Sequence, residues 1–281
     1  MSNDALQILP EADAFVDDVT LSKTYHPDQE DAAIKQMEGR LVLLQKWGNL
    51  WQIAFAAHKS QLMIIWRSPV MKYLRFGSQV LASTGEIEIL GVTYDKALTF
   101  HKHIVKISKK AAGKIAALRR LTWLVDKQDL ATLYKAQVRS CMEFSPLSWG
   151  GAAPTHLALL DKVQRRAERL IYGDEESTLQ PLQARRDVAG MTVMFKIHVQ
   201  NVDHLQELRQ PARAVRRLTR QAARSAHSLA PPRCNTLHHQ RQFVAEYTRK
   251  WNSFMENEAN IQNWSLQVFK ITVNRWLLPP G

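Results

Sequence analysis

Cysteines, glycines, prolines and long apolar stretches are all scarce in this sequence, and each shortage excludes a class of protein. The two cysteines, Cys141 and Cys234, are too few for a disulfide framework and fit a reducing compartment. No apolar run reaches the roughly 18 residues of a membrane-spanning helix, and the acidic start lacks the basic segment of a signal peptide. With 11 glycines, 11 prolines and 45% hydrophobic residues, the chain is expected to fold as an intracellular protein outside the membrane.

Acidic residues are also scarce over a long part of the chain, although they are common at its start. The first forty residues carry nine acidic and three basic side chains, whereas residues 181–250 carry four acidic and thirteen basic ones. The net charge of the whole chain is +12. A basic excess of this kind is typical of a surface that binds a polyanion.

Hydrophobic periodicity predicts a chain of the mixed α+β class. Small or apolar residues alternate with carboxylates over residues 12–21, which predicts two short strands that turn at Asp17 and Asp18. Turn-forming residues separate further predicted strands at residues 61–67, 72–76 and 86–94. Apolar residues at helical spacing predict helices near residues 28–55, 98–125, 130–141, 157–170, 184–201 and 238–258.

Adjacent aspartates at a strand turn are candidate metal ligands. Nucleotidyl transfer uses two divalent metal ions, and the hard carboxylate oxygens of Asp17 and Asp18 suit that purpose when a rigid turn holds them. Turns also favour aspartate for local hydrogen bonding, so the dipeptide alone favours a structural role. The blocks of sequence that follow the pair change this balance.

Several sequence blocks follow one another in a recognisable order. The first is FVDD, residues 15–18, and it is followed by LQKWGNLWQIAF and AAHKSQLMII over residues 44–65. Next come EIEILGVTYDKALTFHKHI, residues 86–104, and then LYKAQVRSCMEFSPLSWGG and LALLDKVQRRAERLI within residues 133–171. In this order they resemble the palm motif, the helix with its lysine-bearing turn, the primer grip, and the thumb and connection helices of reverse transcriptases from non-LTR retrotransposons of the jockey and CR1-like group.

The resemblance implies an α+β fold in which a partial polymerase palm, made of short strands and a long helix, precedes a mostly α-helical thumb and C-terminal region. It assigns residues 1–95 to the partial palm, residues 96–205 to the thumb and connection, and residues 206–281 to a basic helical tail. The implied activity is RNA-directed DNA polymerisation with Mg²⁺, an RNA template, an RNA–DNA hybrid or DNA primer, and deoxynucleotides. Because such elements copy RNA at chromosomal DNA, a nuclear location is also implied.

The same resemblance implies roles for individual residues near the start of the chain. Asp17 and Asp18 would be catalytic metal ligands, and Phe15 would help to pack their hairpin. Lys59 would lie near the phosphates of the incoming nucleotide, where an ammonium group has both a proton and a positive charge to offer departing pyrophosphate. Taken without the resemblance, Lys59 is more simply interpreted as a solvated lysine after a helix end.

The chain departs from the pattern of these reverse transcriptases before the Asp-Asp pair. Their metal site includes another aspartate on an earlier strand, and Asp4, Glu11 and Asp13 lie too close to the pair to come from that strand. The fingers are also missing. We therefore expect a fragment that does not polymerise alone but still binds nucleic acid. The alternatives are a catalytically dead, retrotransposon-derived RNA- or hybrid-binding protein, and a decayed reading frame whose product does not fold stably.

Basic residues on two predicted helices and in the tail are the candidate nucleic-acid ligands, because RNA-containing duplexes are bound mainly through shape, phosphates and hydroxyls. They are Lys102, Lys106, Lys109, Lys110, Lys114, Arg165, Arg166, Arg169, Arg213, Arg216, Arg217 and Arg220. A solvated helix face is an equally weighted interpretation of the lysines, and a protein contact is an alternative for the tail arginines. We interpret the tryptophans, including Trp51 and Trp123, as packing residues.

Overall fold

The computed structural model describes residues 9, 12–65, 71–213, 228–256 and 261–278. The chain divides into two compact units, residues 1–98 and residues 99–281. The seven strands within the described residues all belong to the first unit, and the second unit is mostly helical. The predicted α+β class is therefore confirmed. The finer assignment of residues 1–95, 96–205 and 206–281 to palm, thumb and tail stays a prediction.

The first unit combines one long helix with short strands. Its elements are β1 (Ala12–Phe15), β2 (Asp18–Leu21), α1 (Glu30–Leu50), β3 (Leu62–Met63), β4 (Tyr73–Phe76), β5 (Gln79–Thr84), β6 (Glu86–Ile89) and β7 (Val92–Asp95). β1 and β2 form one antiparallel hairpin, and β6 and β7 form another. Between them, β5 pairs with β3 in parallel and with β4 in the antiparallel sense.

Helix α1 provides the apolar surface on which this unit packs. Leu44 and Trp47 of α1 are buried together with Leu9 and Ala12 at the base of the first hairpin. Phe55 continues this cluster, since its ring centroid lies 6.3 Å from that of Trp47 and 6.3 Å from that of Phe76 in β4. One helix face therefore supports both the first hairpin and the central sheet.

Helix α1 ends at Leu50, whereas its periodicity predicted a helix to residue 55. Gln52 has a positive φ of 57°, the Gln52 N–H donates to the Asn49 carbonyl, and the Ile53 N–H donates to the Gly48 carbonyl at 2.7 Å. This is the Schellman arrangement that ends a helix and turns the chain back. Gly48 permits the reversal, because a Cβ there would lie 2.7 Å from the carbonyl oxygen of Ile53.

Two predictions about the strands were wrong. Strand β5 was missed, and residues 86–94 form the β6–β7 hairpin rather than one strand. In that hairpin Leu90 and Gly91 have φ values of 46° and 80°, the left-handed pair that a tight two-residue turn requires. Only residues 62 and 63 of the predicted strand at 61–67 are paired, and residues 66–67 lie outside the described residues.

The second unit is built from helices of very different lengths. They are α2 (His101–Arg119), α3 (Lys127–Leu133), α4 (Pro146–Trp149), α5 (Pro154–Tyr172), α6 (Leu182–His198), α7 (Leu237–Gln240), α8 (Phe243–Met255) and α9 (Leu266–Leu277). Helix α3 continues as a π-helical segment, Tyr134–Arg139. Within the described part of the chain, no helix is long and apolar enough to cross a bilayer.

The end of the second unit differs from its prediction. The single helix expected at residues 238–258 is divided into α7 and α8, and α9 was not predicted. Helix α9 is rich in β-branched residues, which lowers its intrinsic helix propensity. Its helical form is supported instead by the Ser265 side chain, which accepts the Val268 N–H, and by the complete burial of Phe269 and Val273.

Two apolar contacts hold the second unit together. Helices α2 and α5 pack side by side, and they bury residues such as Ile104 and Leu160. Helix α6 packs against both α8 and α9, with the rings of Phe195 and Phe269 stacked at a centroid distance of 4.4 Å. Gly190 in α6 allows α6 and α8 to approach closely, because the ring of Tyr247 in α8 occupies the position that a Cβ at residue 190 would take.

Gly190→Ala is expected to lower the free energy of unfolding by about 1–3 kcal/mol, since the added methyl group would overlap the Tyr247 ring within packed structure. Gly113→Ala is the matched control, because nothing lies within 4 Å of a Cβ at Gly113 in α2. Alanine there should stabilise the helix by up to about 1 kcal/mol. Urea unfolding followed by circular dichroism measures both changes. Equal unfolding midpoints for Gly190→Ala and the unmodified chain would contradict the close contact.

Candidate functional site

The two adjacent aspartates lie at the tip of the first hairpin. Phe15 pairs with Asp18 across the hairpin, so the two turn residues are Val16 and Asp17, and Asp18 is the first residue of β2. The predicted turn at Asp17 and Asp18 was therefore displaced by one residue. The shift occurs because Val16, with a φ of 57°, takes the first central position of the turn.

The hairpin is anchored at its base and exposed at its tip. Ala12, at the base, is buried and pairs with Leu21, which packs against the same cluster on α1. At the tip Val16 is 78% exposed and Phe15 is 63% exposed. The expectation that Phe15 packs the hairpin was wrong, because its ring is largely in solvent. Asp17 and Asp18 are exposed as well.

The backbone at the tip is strained. The left-handed region is unfavourable for any residue with a Cβ, and a β-branched residue such as Val16 is a genuine outlier there. Strain of this kind persists only where the surrounding structure imposes it, and it recurs at functional sites. The β1–β2 pairing on either side imposes it here, so the two carboxylates are held in a defined turn.

The tip offers two of the oxygen ligands that the predicted metal site requires. Carboxylate oxygens are the ligands that Mg²⁺ prefers, and Asp17 and Asp18 offer them on a fixed turn. Within the ranges that the structure describes, however, no group of three or more His, Cys, Asp or Glu side chains could hold a metal ion. The two aspartates therefore fit Mg²⁺ as a partial ligand set, and further oxygen ligands are needed to complete it.

Lys59 lies in a separate feature of the first unit. It ends a short 3-10 turn, Ala57–Lys59, where its N–H donates to the Ala56 carbonyl at 2.8 Å and its side chain is exposed. A cleft of about 320 Å³ opens beside this turn, lined by residues that include Gln45, Phe55, His58 and Phe76. Asp17, Asp18 and Lys59 are not among the residues that line the cleft.

Helix α2 presents the predicted lysine face. Residues 101–120 contain seven Lys or Arg residues and no Asp or Glu. Lys102, Lys106, Lys109 and Lys110 are exposed. Lys114 is half-buried, and its ammonium group donates to the Gln137 carbonyl at 2.7 Å, in the π-helical segment. Lys114 therefore has a structural contact within the unit in addition to its predicted role.

The predicted arginines are only partly described. Arg165, Arg166 and Arg169 are exposed on α5, on the side away from its buried residues. Arg213 is exposed, and its backbone N–H donates to the Ser228 carbonyl at 2.8 Å. The remaining tail arginines, Arg216, Arg217 and Arg220, lie outside the described residues.

Three curated proteins of Drosophila melanogaster are similar to this chain, each at 25% identity. They are the probable RNA-directed DNA polymerase from transposon X-element, over 170 residues, the RNA-directed DNA polymerase from mobile element jockey, over 149 residues, and the probable RNA-directed DNA polymerase from transposon BS, over 229 residues. This chain is similar to the reverse transcriptases of jockey-like non-LTR retrotransposons. The matches cover 57%, 50% and 73% of the chain, respectively.

The similarity concerns a limited part of these reverse transcriptases. The chain spans 18%, 16% and 24% of the X-element, jockey and BS proteins, respectively. No protein-family model matches the chain, and no solved structure matches it. The family resemblance predicted from the sequence blocks is confirmed by these relatives.

Sequence reasoning missed a polar cluster that joins α6 to α8. Asp187 accepts hydrogen bonds from Lys250 Nζ at 2.5 Å and from the Tyr247 hydroxyl at 3.4 Å. Arg186 is buried, with its guanidinium 6.0 Å from the centroid of the Trp149 ring. Burial raises the pKa of Tyr247 and lowers the pKa of Arg186. The sequence signal for this cluster was an Arg-Asp pair on the apolar side of a helix. We interpret the cluster as structural, because its hydrogen bonds connect α6 to α8.

The tryptophans of the chain were interpreted uniformly as packing residues, and this was wrong for two of them. Trp47, Trp149 and Trp251 are buried, as predicted. Trp51 is 52% exposed because α1 ends beside it, and Trp123 is 78% exposed in the loop after α2. Both positions lie at a helix end, where periodicity no longer determines which side a residue faces.

Val16→Gly is expected to raise the free energy of unfolding by roughly 0.5–1 kcal/mol, because glycine relieves the left-handed strain and this relief exceeds the added entropy of the unfolded chain. Val19→Gly in β2 is the control, since the backbone at Val19 is extended. This variant should lower the free energy of unfolding by about 1 kcal/mol. Thermal unfolding of the two variants measures the difference. Equal losses in both would show that Val16 is not strained.

Proposed function

We propose that this chain is the part of a non-LTR retrotransposon reverse transcriptase that supplies the Asp-Asp metal ligands of the palm and the nucleic-acid-binding helices of the thumb, and that the 281 residues alone do not polymerise. The observation that carries the proposal is the exposed Asp17–Asp18 tip of a hairpin whose base is buried against α1. An enzyme that holds metal ions at a primer end needs carboxylates that are both accessible and fixed.

In the proposed reaction Asp17 and Asp18 hold Mg²⁺, and Lys59 contacts the phosphates of a deoxynucleotide. When bound, the metal ions activate the primer hydroxyl and stabilise the charge on the leaving pyrophosphate. Lys59 is exposed and its ammonium group is available to donate a proton to that leaving group. The inactivity of the chain alone follows from the partial ligand set, because the described residues bring no third carboxylate to the tip.

Binding of an RNA template and its hybrid or DNA primer is proposed for the basic surface of the second unit. The uninterrupted positive charge of α2 supports this part of the proposal, together with the exposed arginines of α5. Such a surface contacts phosphates and does not distinguish one base from another. A polymerase thumb needs this property, because it has to bind primer–template duplexes of any sequence. Copying at chromosomal DNA would place the protein in the nucleus.

A second candidate function is RNA or hybrid binding without catalysis. It is favoured by the same α2 surface, because all the basic residues of that surface lie within the described residues. The described residues do not, by contrast, bring together enough ligands for a metal ion. The two candidates predict the same binding and differ in whether Asp17 and Asp18 bind metal ions. The two experiments below therefore examine metal binding and nucleic-acid binding separately.

The chain is expected to show no primer extension on a hybrid substrate with Mg²⁺ and deoxynucleotides, and to bind Mn²⁺ weakly at the hairpin tip. Mn²⁺ is a paramagnetic substitute for Mg²⁺, so it should broaden the NMR signals of residues 15–19 selectively. The double variant Asp17→Asn/Asp18→Asn should lose this broadening.

The matched control is Asp28→Asn/Asp31→Asn, which removes two exposed acidic side chains near the start of α1 and should leave the broadening at the tip unchanged. Unchanged broadening in Asp17→Asn/Asp18→Asn would reject the metal-ligand assignment and favour the second candidate function. Mg²⁺-dependent synthesis that Asp17→Asn abolishes would instead show that the chain is active alone.

The logarithm of the affinity for an RNA–DNA hybrid should fall linearly with the logarithm of the salt concentration, because each phosphate contact releases bound counterions. Lys109→Gln/Lys110→Gln should make the slope shallower by about 2 if both lysines contact phosphates. Lys35→Gln/Lys46→Gln removes the same charge from exposed positions of α1 and should have little effect. Fluorescence anisotropy between low and physiological salt measures all three slopes. A slope near zero for the unmodified chain would exclude phosphate binding as the function of this surface.

A further inference from the structure

The loop that joins α2 to α3 displays a tryptophan on the protein surface. Trp123 is 78% exposed, compared with 52% for Trp51, and its neighbour Leu124 is 59% exposed. By contrast, Trp149 and Trp251 are almost completely buried. Burial of a large aromatic side chain is favourable by a few kcal/mol, so two adjacent apolar residues left in solvent indicate a binding surface.

Hydrogen bonds within the loop, and from the loop to the end of α2, order it. The Leu121 N–H donates to the Leu118 carbonyl at 2.9 Å, and the Leu124 N–H donates to the Leu121 carbonyl at 2.9 Å. The Thr122 hydroxyl donates to the Arg119 carbonyl at 3.0 Å. A ligand that contacts Trp123 therefore meets a loop that is already ordered, which lowers the entropic cost of binding.

The charges around the loop identify the partner as a polyanion. Arg119 and Arg120, both exposed, continue the acid-free run of α2 up to the loop. Along the chain, the next acidic side chains are Asp126 and Asp129, and the Asp126 carboxylate caps α3 by accepting the Asp129 N–H at 2.8 Å. Glu175, which follows α5, is paired with Lys127 at the start of α3. A phosphate backbone that follows α2 would thus reach Trp123 along a stretch of chain that carries basic residues and no acidic ones.

A tryptophan at the end of a cationic helix matches the way proteins hold single-stranded nucleic acids. Such sites combine a positively charged track for the backbone with aromatic side chains on which bases stack, and they tolerate any sequence because every base has a flat face. A protein partner would instead have to match the positive charge of α2 with a large acidic surface.

We propose that Trp123, supported by Leu124, is a stacking platform for an unpaired base of the RNA or DNA strand that runs along α2. This inference rests on the proposed nucleic-acid binding by α2 and adds a specific contact to it. The ligand it requires is a strand with unpaired nucleotides, such as the template beyond the end of a hybrid, because a base within a duplex has no free face.

The experiment compares a blunt RNA–DNA hybrid with the same hybrid carrying a single-stranded overhang, in the full chain and at one salt concentration. Trp123→Ala should weaken binding of the overhang substrate by roughly 5- to 150-fold, the range measured for loss of one stacked base, and should leave the blunt substrate nearly unchanged. Its salt slope should not change, because no phosphate contact is removed. Trp123→Phe should retain most of the affinity, and Trp51→Ala, at an exposed tryptophan of the first unit, should retain all of it.

Each other outcome identifies which proposal fails. If Trp123→Ala binds the overhang as the unmodified chain does, or if Trp123→Phe is as weak as Trp123→Ala, the stacking inference is overturned while the α2 surface stands. Equal losses on the blunt and overhang substrates also overturn it. If the unmodified chain binds neither substrate with a salt-dependent affinity, the proposed nucleic-acid binding itself fails, and the stacking inference fails with it.

Discussion

The buried apolar face of α1 is the constraint on which the candidate catalytic residues depend. An isolated two-stranded hairpin is at best marginally stable in water, and β1 and β2 are only four residues each. The hairpin persists because Ala12 and Leu21 at its base pack against Leu44 and Trp47. Because that contact keeps the hairpin folded, Val16 retains its unfavourable positive φ at the turn. Hydrophobic burial at one end of the hairpin therefore positions two carboxylates in solvent at the other end.

In the second unit, packing and charge are separated onto different sides of the same helices. The buried side of α2 packs against α5, while Lys102, Lys106, Lys109 and Lys110 are exposed to solvent, where a charged group retains its hydration. Among the described residues, the buried charged side chains of Arg186 and Asp187 lie in a cluster with Tyr247 and Lys250, whose hydrogen bonds satisfy the Asp187 carboxylate. The cationic surface can therefore serve binding without contributing much to the stability of the unit.

The long elements of both units could be predicted from periodicity, because a helix of many turns repeats its apolar spacing often enough to be recognised. Helices α2, α5 and α6 lie close to where the spacing placed them. The Asp-Asp hairpin was also predicted, from alternation and from the order of the sequence blocks. Prediction failed at the ends of elements, for example at Leu50, Leu90 and Trp123, where a few backbone dihedral angles decide the path of the chain.

The sequence by itself determined the charge pattern of the surfaces, including the acid-free run on α2 and the paired aspartates. It also showed the resemblance to the jockey polymerase, through the order of short blocks. Only the tertiary structure decided that Val16 and Asp17 form the turn, that Phe15 and Trp123 are exposed, and that Lys114 contacts the π-helical segment. The physical reason is that spacing along the chain specifies which residues share a face. Whether a face is covered depends on contacts between segments that lie far apart in sequence.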